Sequence, residues 1–291
     1  MMSVENSFRA AMREAGIATD APIVADGELH RVHVEGDRAG SKNAWFVLHG
    51  GTHPAGAFGC NKRGISGKWR ADNRAPGAPL NPIDRALIEA QRKARVIAQE
   101  RGYSEAAERA GKILHAATSD ASNHAYVVRK GIQPFGVHQS RDGVLVIPVY
   151  DARNGKLSSV QTIDADGEKR FLPGGRMAYG CSPLRHTAES LKRALEQRIG
   201  AAEGWATAAT LAHVLGPSIA MFAAFGAGNL ANVATALREH YPNAEITIFG
   251  DNDESGVGQA AAIKAATAVQ GFVAIPQKVA SDWNDYARAA A

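Results

Sequence analysis

The stretch Glu245-Ile-Thr-Ile-Phe-Gly-Asp251-Asn252-Asp253-Glu254-Ser255-Gly256 decides how this chain reads. Its first five residues are rich in β-formers and predict a strand, which Gly250 ends. Two carboxylates follow at once, two positions apart. In an open α/β sheet, ligands bind beyond the carboxyl ends of the strands, which is where Asp251 and Asp253 would fall. In an extended turn the two can point the same way and share a hard cation, because Mg²⁺ takes oxygen ligands and usually one or two carboxylates. A plainer reading, in which both acids make a turn or a helix cap, stands beside that one.

Outward from this stretch the pattern alternates. Residues 190–198, 206–215, 228–240 and 256–270 predict helices, and 199–202, 218–224, 245–250 and 272–275 predict strands. That order argues a compact, mostly parallel α/β sheet. Glu203-Gly204 follows the first of those strands, and Asp282 and Asp285 follow the last, so three sets of acids gather on one edge. Two metal ions held there can activate a 3′-hydroxyl and steady a leaving pyrophosphate.

Upstream, residues 4–17 predict a short amphipathic helix with Phe8, Met12 and Ile17 on one face. Residues 26–70 predict a small antiparallel unit, with Leu29–Glu35 and Ala44–His49 as strands. Pro76-Gly77-Ala78-Pro79 reads as a linker, and Asn81-Pro82 opens a long helix to about Ala117. Residues 126–180 predict a β-meander, with Val144–Tyr150, Leu157–Ile163 and Lys169–Leu172 joined by the turns at 151–155 and 164–167. The expected fold class is therefore α/β plus α+β. Its segments are a β-rich unit at 1–75, a helical connector at 76–125, an α+β middle domain at 126–185 and a C-terminal α/β domain at 186–291.

Glu203-Gly204-Trp205-Ala206-Thr207, followed by Asp251-Asn252-Asp253-Glu254-Ser255-Gly256, resembles the Toprim domain of topoisomerases and DnaG-type primases. Ser281-Asp282-Trp283-Asn284-Asp285-Tyr286 occupies the place of a third acidic cluster in such primases. The run Ala227-Gly228-Asn229-Leu230, with Tyr241-Pro242 after it, and the segment Gly167–Gly175 are similar to phage and plasmid primases. The resemblance spans roughly residues 126–291 well and the first 75 more loosely. It implies that Glu203 acts as general acid or base, or positions a metal, while Asp251, Asp253 and Asp282 bind Mg²⁺, or Mn²⁺ in its place. DnaG-type enzymes carry another acid shortly after the Glu-Gly, where this chain has Ala206 and Thr207, so one ligand comes from Asp285 or is absent.

The implied function is a DNA primase that joins ribonucleoside triphosphates into short primers on single-stranded DNA. A Toprim nuclease, or a non-catalytic nucleic-acid-binding protein of the same fold, stands as the alternative.

Charge fits a polyanionic substrate. From Ala201 onward eight acids face four bases, a net of −4, which leaves +8 on the rest of a chain whose total is +4. Lys169, Arg170 and Arg176 flank the turn before the C-terminal domain and are the expected grip on template or nucleotide phosphates. Lys62, Arg63 and Lys68 beside Trp69 combine basic and aromatic groups as single-strand binders do.

Zinc is not expected. His30, His33, His49, His53 and Cys60 are close in sequence, but no Cys-x-x-Cys is present and His30 and His33 face opposite sides of a strand. The Gly-Lys pairs at 67–68, 111–112 and 155–156 lack a following Ser or Thr, so no P-loop is present and any helicase partner is a separate protein. No apolar run reaches the length of a membrane span, no signal peptide is evident, and Cys60 and Cys181 are too few for a disulfide framework. The expected location is the cytoplasm.

Overall fold

The computed structural model describes residues 3–51, 53–71, 82–118, 120–184, 187–279 and 281–290. The expected linker at Pro76–Pro79 lies outside them. The chain forms two compact units, Met1–Lys93 and Ala94–Ala291.

In the first unit, helix α1 (Val4–Glu14) starts where the Ser3 hydroxyl accepts a hydrogen bond from the Asn6 N–H at 3.2 Å. Strands β1 (His30–Val32), β2 (Ala44–His49), β3 (Ala55–Cys60) and β4 (Ile65–Arg70) form one antiparallel sheet in chain order. The period of two sends Phe46, Leu48 and Phe58 to the face that meets Phe8, Met12 and Ile17, and all six are buried.

The second unit holds most of helix α2 (Pro82–Ala116), whose last turns pack Ala110, Ile113 and Leu114 against Val146 and Val160. The expected connector is thus in part a wall of this unit. Then follow α3 (Ala125–Lys130), β5 (His138–Gln139), β6 (Leu145–Asp151), β7 (Leu157–Ile163), β8 (Lys169–Phe171) and β9 (Gly180–Leu184). After them come α4 (Ala188–Leu195), β10 (Arg198–Ala202), α5 (Trp205–Leu215), β11 (Ala220–Ala223) and α6 (Ala227–His240). The chain continues through β12 (Glu245–Phe249), α7 (Val257–Ala268), β13 (Phe272–Ala274) and α8 (Trp283–Ala290).

These nine strands build one sheet in the order β13-β12-β10-β11-β9-β6-β7-β8, with β5 added on β6. Strands β11, β10, β12 and β13 are parallel, as the alternating sequence pattern requires, while β9 runs antiparallel to both β11 and β6. Helix α5 packs on one face with Met221 and Phe249, and α4, α6 and α7 cover the other with Ile199, Phe222, Ile246 and Ile248. Because β9 bonds on both edges, the segments before and after residue 185 share a sheet. Among the described residues no helix is long and apolar enough to cross a membrane.

Candidate active site

The parallel strands deliver their carboxyl ends to one edge, and Glu203, Asp251 and Asp253 stand there beyond β10 and β12. The turn after β12 is tied down from below. Trp283 donates its indole N–H to the Gly250 carbonyl at 3.1 Å. The Asn252 N–H donates to Ser281 O at 3.1 Å, its side-chain amide donates to Pro276 O at 2.8 Å, and its Oδ1 accepts from Gln259 at 2.7 Å. These bonds fix residues 250–253 against the segment that carries Asp282.

The two acids of the Asp-x-Asp pair then diverge. Asp253 caps α7: its carboxylate accepts from the Ser255 hydroxyl at 2.5 Å, the Val257 N–H at 3.2 Å and the Gly258 N–H at 2.6 Å. Those bonds, the Ser255 hydroxyl first, hold its pKa below the usual carboxylate value. Gly258 is required, since a Cβ there would lie 2.6 Å from Asp253 Oδ2 and 2.9 Å from the Asp251 carbonyl oxygen.

Asp251 points inward, and its Oδ1 is buried without a hydrogen-bond partner. Burial first, then the charges of Glu203, Asp282 and Asp253, push its pKa up to about 6, against a smaller opposing pull from Lys169. The cap reading therefore describes Asp253, and a desolvated carboxylate among like charges describes Asp251.

Asp282 caps α8 by accepting from the Asp285 N–H at 2.8 Å, and its other oxygen lies 3.9 Å from the Lys130 ammonium. Asp285 is exposed on the first turn of α8 and is not among the charges that raise Asp251. Ala206 and Thr207 are both buried in α5. Lys130 escaped the sequence reading because it sits on α3, and nothing in its local run foretells a contact with Asp282.

The expected basic grip divides as well. Lys169 opens β8 within electrostatic reach of Asp251. Arg170 is paired with Glu168 at 2.8 Å, and Arg176 is paired with Glu100 and lies 4.5 Å over the Tyr103 ring. Phe171 meets Phe225 edge-on at 5.9 Å, and Phe225 holds a left-handed φ of 62° just beyond β11.

In the first unit, Lys62 bonds Asp37 at 2.9 Å, and Arg63 donates to the carbonyls of Gly16 at 2.8 Å and Glu35 at 3.2 Å. Trp69, partly buried, packs against the core edge-on to Phe8 at 5.4 Å, while Lys68 points to the opposite face. His30 bonds Asp26 at 2.9 Å, His33 bonds the Ser41 carbonyl at 3.1 Å, and Cys60 is buried.

Among the described residues no three His, Cys, Asp or Glu groups close around one point as a finished metal cage. The carboxylate set nevertheless suits a hard divalent cation: the donors are all oxygen, and one buried oxygen has no partner.

Residues 198–291 match the family profile of the Toprim domain. Two curated relatives along nearly the whole chain are DNA primases. Over 289 residues the chain is 36% identical to a DNA primase TraC of Escherichia coli, covering 94% of this chain and 26% of that protein. A second Escherichia coli DNA primase TraC is 34% identical over 294 residues, which is 94% of this chain and 20% of the relative. The chain thus spans about a quarter or less of the curated relatives it matches. The crystal structure of the Aquifex aeolicus primase (zinc binding and RNA polymerase domains) aligns with 99% of this chain and 83% of that one, at 14% identity and a TM-score of 0.45.

Proposed function

We propose that this chain is the catalytic part of a DNA primase, which joins ribonucleoside triphosphates into short primers on single-stranded DNA. The observation that carries the reading is Asp251. A carboxylate with one unpartnered buried oxygen, raised first by burial and then by three neighbouring acids, is poised for a cation rather than for a structural hydrogen bond. The likeness to two TraC primases along nearly the whole chain supports the same activity.

Asp251, the free lone pairs of Asp253, and Asp282 would hold Mg²⁺, or Mn²⁺ in its place, with Glu203 as general acid or base or as a further support. When bound, such ions supply Lewis-acid activation of the 3′-hydroxyl and neutralise charge on the triphosphate. Lys169 and Lys130 are the cations beside these acids and would meet the phosphates once the carboxylates turn to the metal. The β-meander of residues 126–185 would hold nucleotide and template next to that edge. Asp285, exposed and one turn along α8, is a weaker candidate ligand than the other four. We further infer a cytoplasmic protein that works with a separate helicase.

Primer synthesis by the purified chain tests this. Labelled ribonucleotides, single-stranded DNA and Mg²⁺ should give short products with the wild type and none with Asp251→Asn, whose affinity for DNA should be unchanged. Parallel loss of DNA binding and synthesis would remove the role given to Asp251.

A further inference from the structure

Two aromatic rings stand at the acid-bearing edge and take no part in holding a cation there. The strand registers place them. Ala202 pairs with Ala223 on one side and with Phe249 on the other, so Glu203, Phe225 and Asp251 leave adjacent parallel strands side by side. The Ala224 N–H extends that pairing with a bond to the Ala202 carbonyl at 2.9 Å. Phe171 reaches the same edge from β8, its ring centroid 5.9 Å from that of Phe225 and the two planes at 88°. A perpendicular pair spends one face of one ring, so Phe171, 39% exposed, keeps a face open.

Phe225 is held in place against its own preference. Its φ of 62° is a left-handed conformation that a bulky side chain adopts only under constraint. Asn229 supplies the constraint. Its side-chain amide donates to the Ala224 and Gly180 carbonyls at 2.9 Å each, and its Oδ1 accepts from the Tyr179 N–H at 3.0 Å. Glycine would take this φ freely, so what the position gains from phenylalanine is its ring. All three residues of β8 are exposed, so that strand is not placed for burial either.

Lys169 and Phe171 lie two residues apart on β8, on one face of the strand and about 6.6 Å from each other. Lys169 is the cation within electrostatic reach of Asp251. A phosphate at the lysine would therefore have the ring one step away, and a ribose spans such a step between its phosphate and its base. Arg170 points to the other face and is paired with Glu168 at 2.8 Å.

We propose that Phe171, backed by Phe225, is the surface on which the base of a nucleoside triphosphate stacks while its phosphates meet Lys169. This deepens the primase reading and rests on it. Stacking asks only for a π-face, which every base has, so the subsite accepts any of them and holds purines, with the larger face, more tightly.

The test compares ATP with inorganic tripolyphosphate, which lacks the base, by calorimetry on the full chain in Mg²⁺. Phe171→Ala should weaken ATP roughly tenfold and leave tripolyphosphate within about twofold. Phe171→Trp should restore ATP binding and should quench a bound 2-aminopurine riboside triphosphate as the wild type does. Phe225→Gly, which takes the left-handed φ without strain, should weaken ATP by less, about threefold, because only the backing ring is lost. In primer synthesis Phe171→Ala should raise KM for nucleotides about tenfold with kcat within about twofold.

Wild-type affinity for ATP in Phe171→Ala would overturn the proposal. Equal losses of ATP and tripolyphosphate would overturn it too, since they would mark a role in folding or in phosphate binding alone. Primer synthesis with an unaltered KM in Phe171→Ala would count against the stacking surface and leave the primase reading standing. A wild type that prefers ATP to tripolyphosphate through Phe171, yet makes no primer, would support the surface and count against the primase reading.

Discussion

Replacing Asp251 by Asn should make the metal-free protein more stable at neutral pH relative to the wild type, and the gain should vanish in acid. The folded pKa is raised from 3.8 to about 6. A carboxylate raised in this way binds its proton more tightly in the folded state, so ionising it costs stability. The cost is absent below the unfolded pKa, grows through the interval between the two values and is complete above about pH 6.

Between about pH 4.5 and pH 8 the full shift corresponds to roughly 2 kcal/mol. Asp251 keeps some solvent contact, and screening brings the expectation to about 1–2 kcal/mol. Urea unfolding of both proteins at the two pH values, in chelator, measures it. Comparing the difference between variants at each pH cancels any constant effect of burying an amide. A difference that does not change with pH would refute the account of Asp251 as a desolvated carboxylate among like charges. Saturating Mg²⁺ should raise the wild-type midpoint and leave that of Asp251→Asn nearly where it was.

Other expectations follow from the contacts at the sheet edge. Gly258→Ala forces a Cβ onto the Asp253 cap and should cost about 1–3 kcal/mol in urea unfolding. Asn229 accepts from the Tyr179 N–H at 3.0 Å and donates to the Gly180 and Ala224 carbonyls at 2.9 Å each, beside two residues with left-handed φ, Tyr179 and Phe225. Its replacement by Ala should cost about 2–3 kcal/mol, and protection of the Tyr179 amide from hydrogen exchange should fall. Trp69→Ala should cost about 3 kcal/mol by opening the first unit's core, whereas Lys68→Ala should change unfolding by less than about 0.5 kcal/mol.

The alternating strands and helices of the C-terminal third were legible because buried parallel strands read as short apolar runs between glycine-marked turns. Ala44–His49 in the first unit was equally plain. The strand Ala55–Cys60 was not, since Ala-Gly-Ala-Phe-Gly-Cys has Phe58 as its one strong β-former among two glycines and two alanines. Its glycine at 59 is there to seat Trp45, a reason that lies on another strand. The location of the carboxylates followed from strand ends, but their division of labour did not. Asp251 and Asp253 look alike in sequence, and only the Ser255 and Gly258 donors make one a cap while the ties to Trp283 and Ser281 turn the other inward. Trp69 shows the converse. Its adjacency to Lys68 looked like a binding pair, although the period of two places neighbours in a strand on opposite faces. Lys130 beside Asp282 joins residues 152 positions apart and left no local signal.

The most direct test of the central claim uses two labels in one reaction: the purified chain with Mg²⁺, 5′-labelled single-stranded DNA and differently labelled ribonucleotides, run beside Asp251→Asn and Asp282→Asn. The account predicts short ribonucleotide products from the wild type, an intact template, and a large loss of product in both variants. A shortened template without primers would make the same carboxylates those of a nuclease, and full product from Asp251→Asn would contradict the site assigned here.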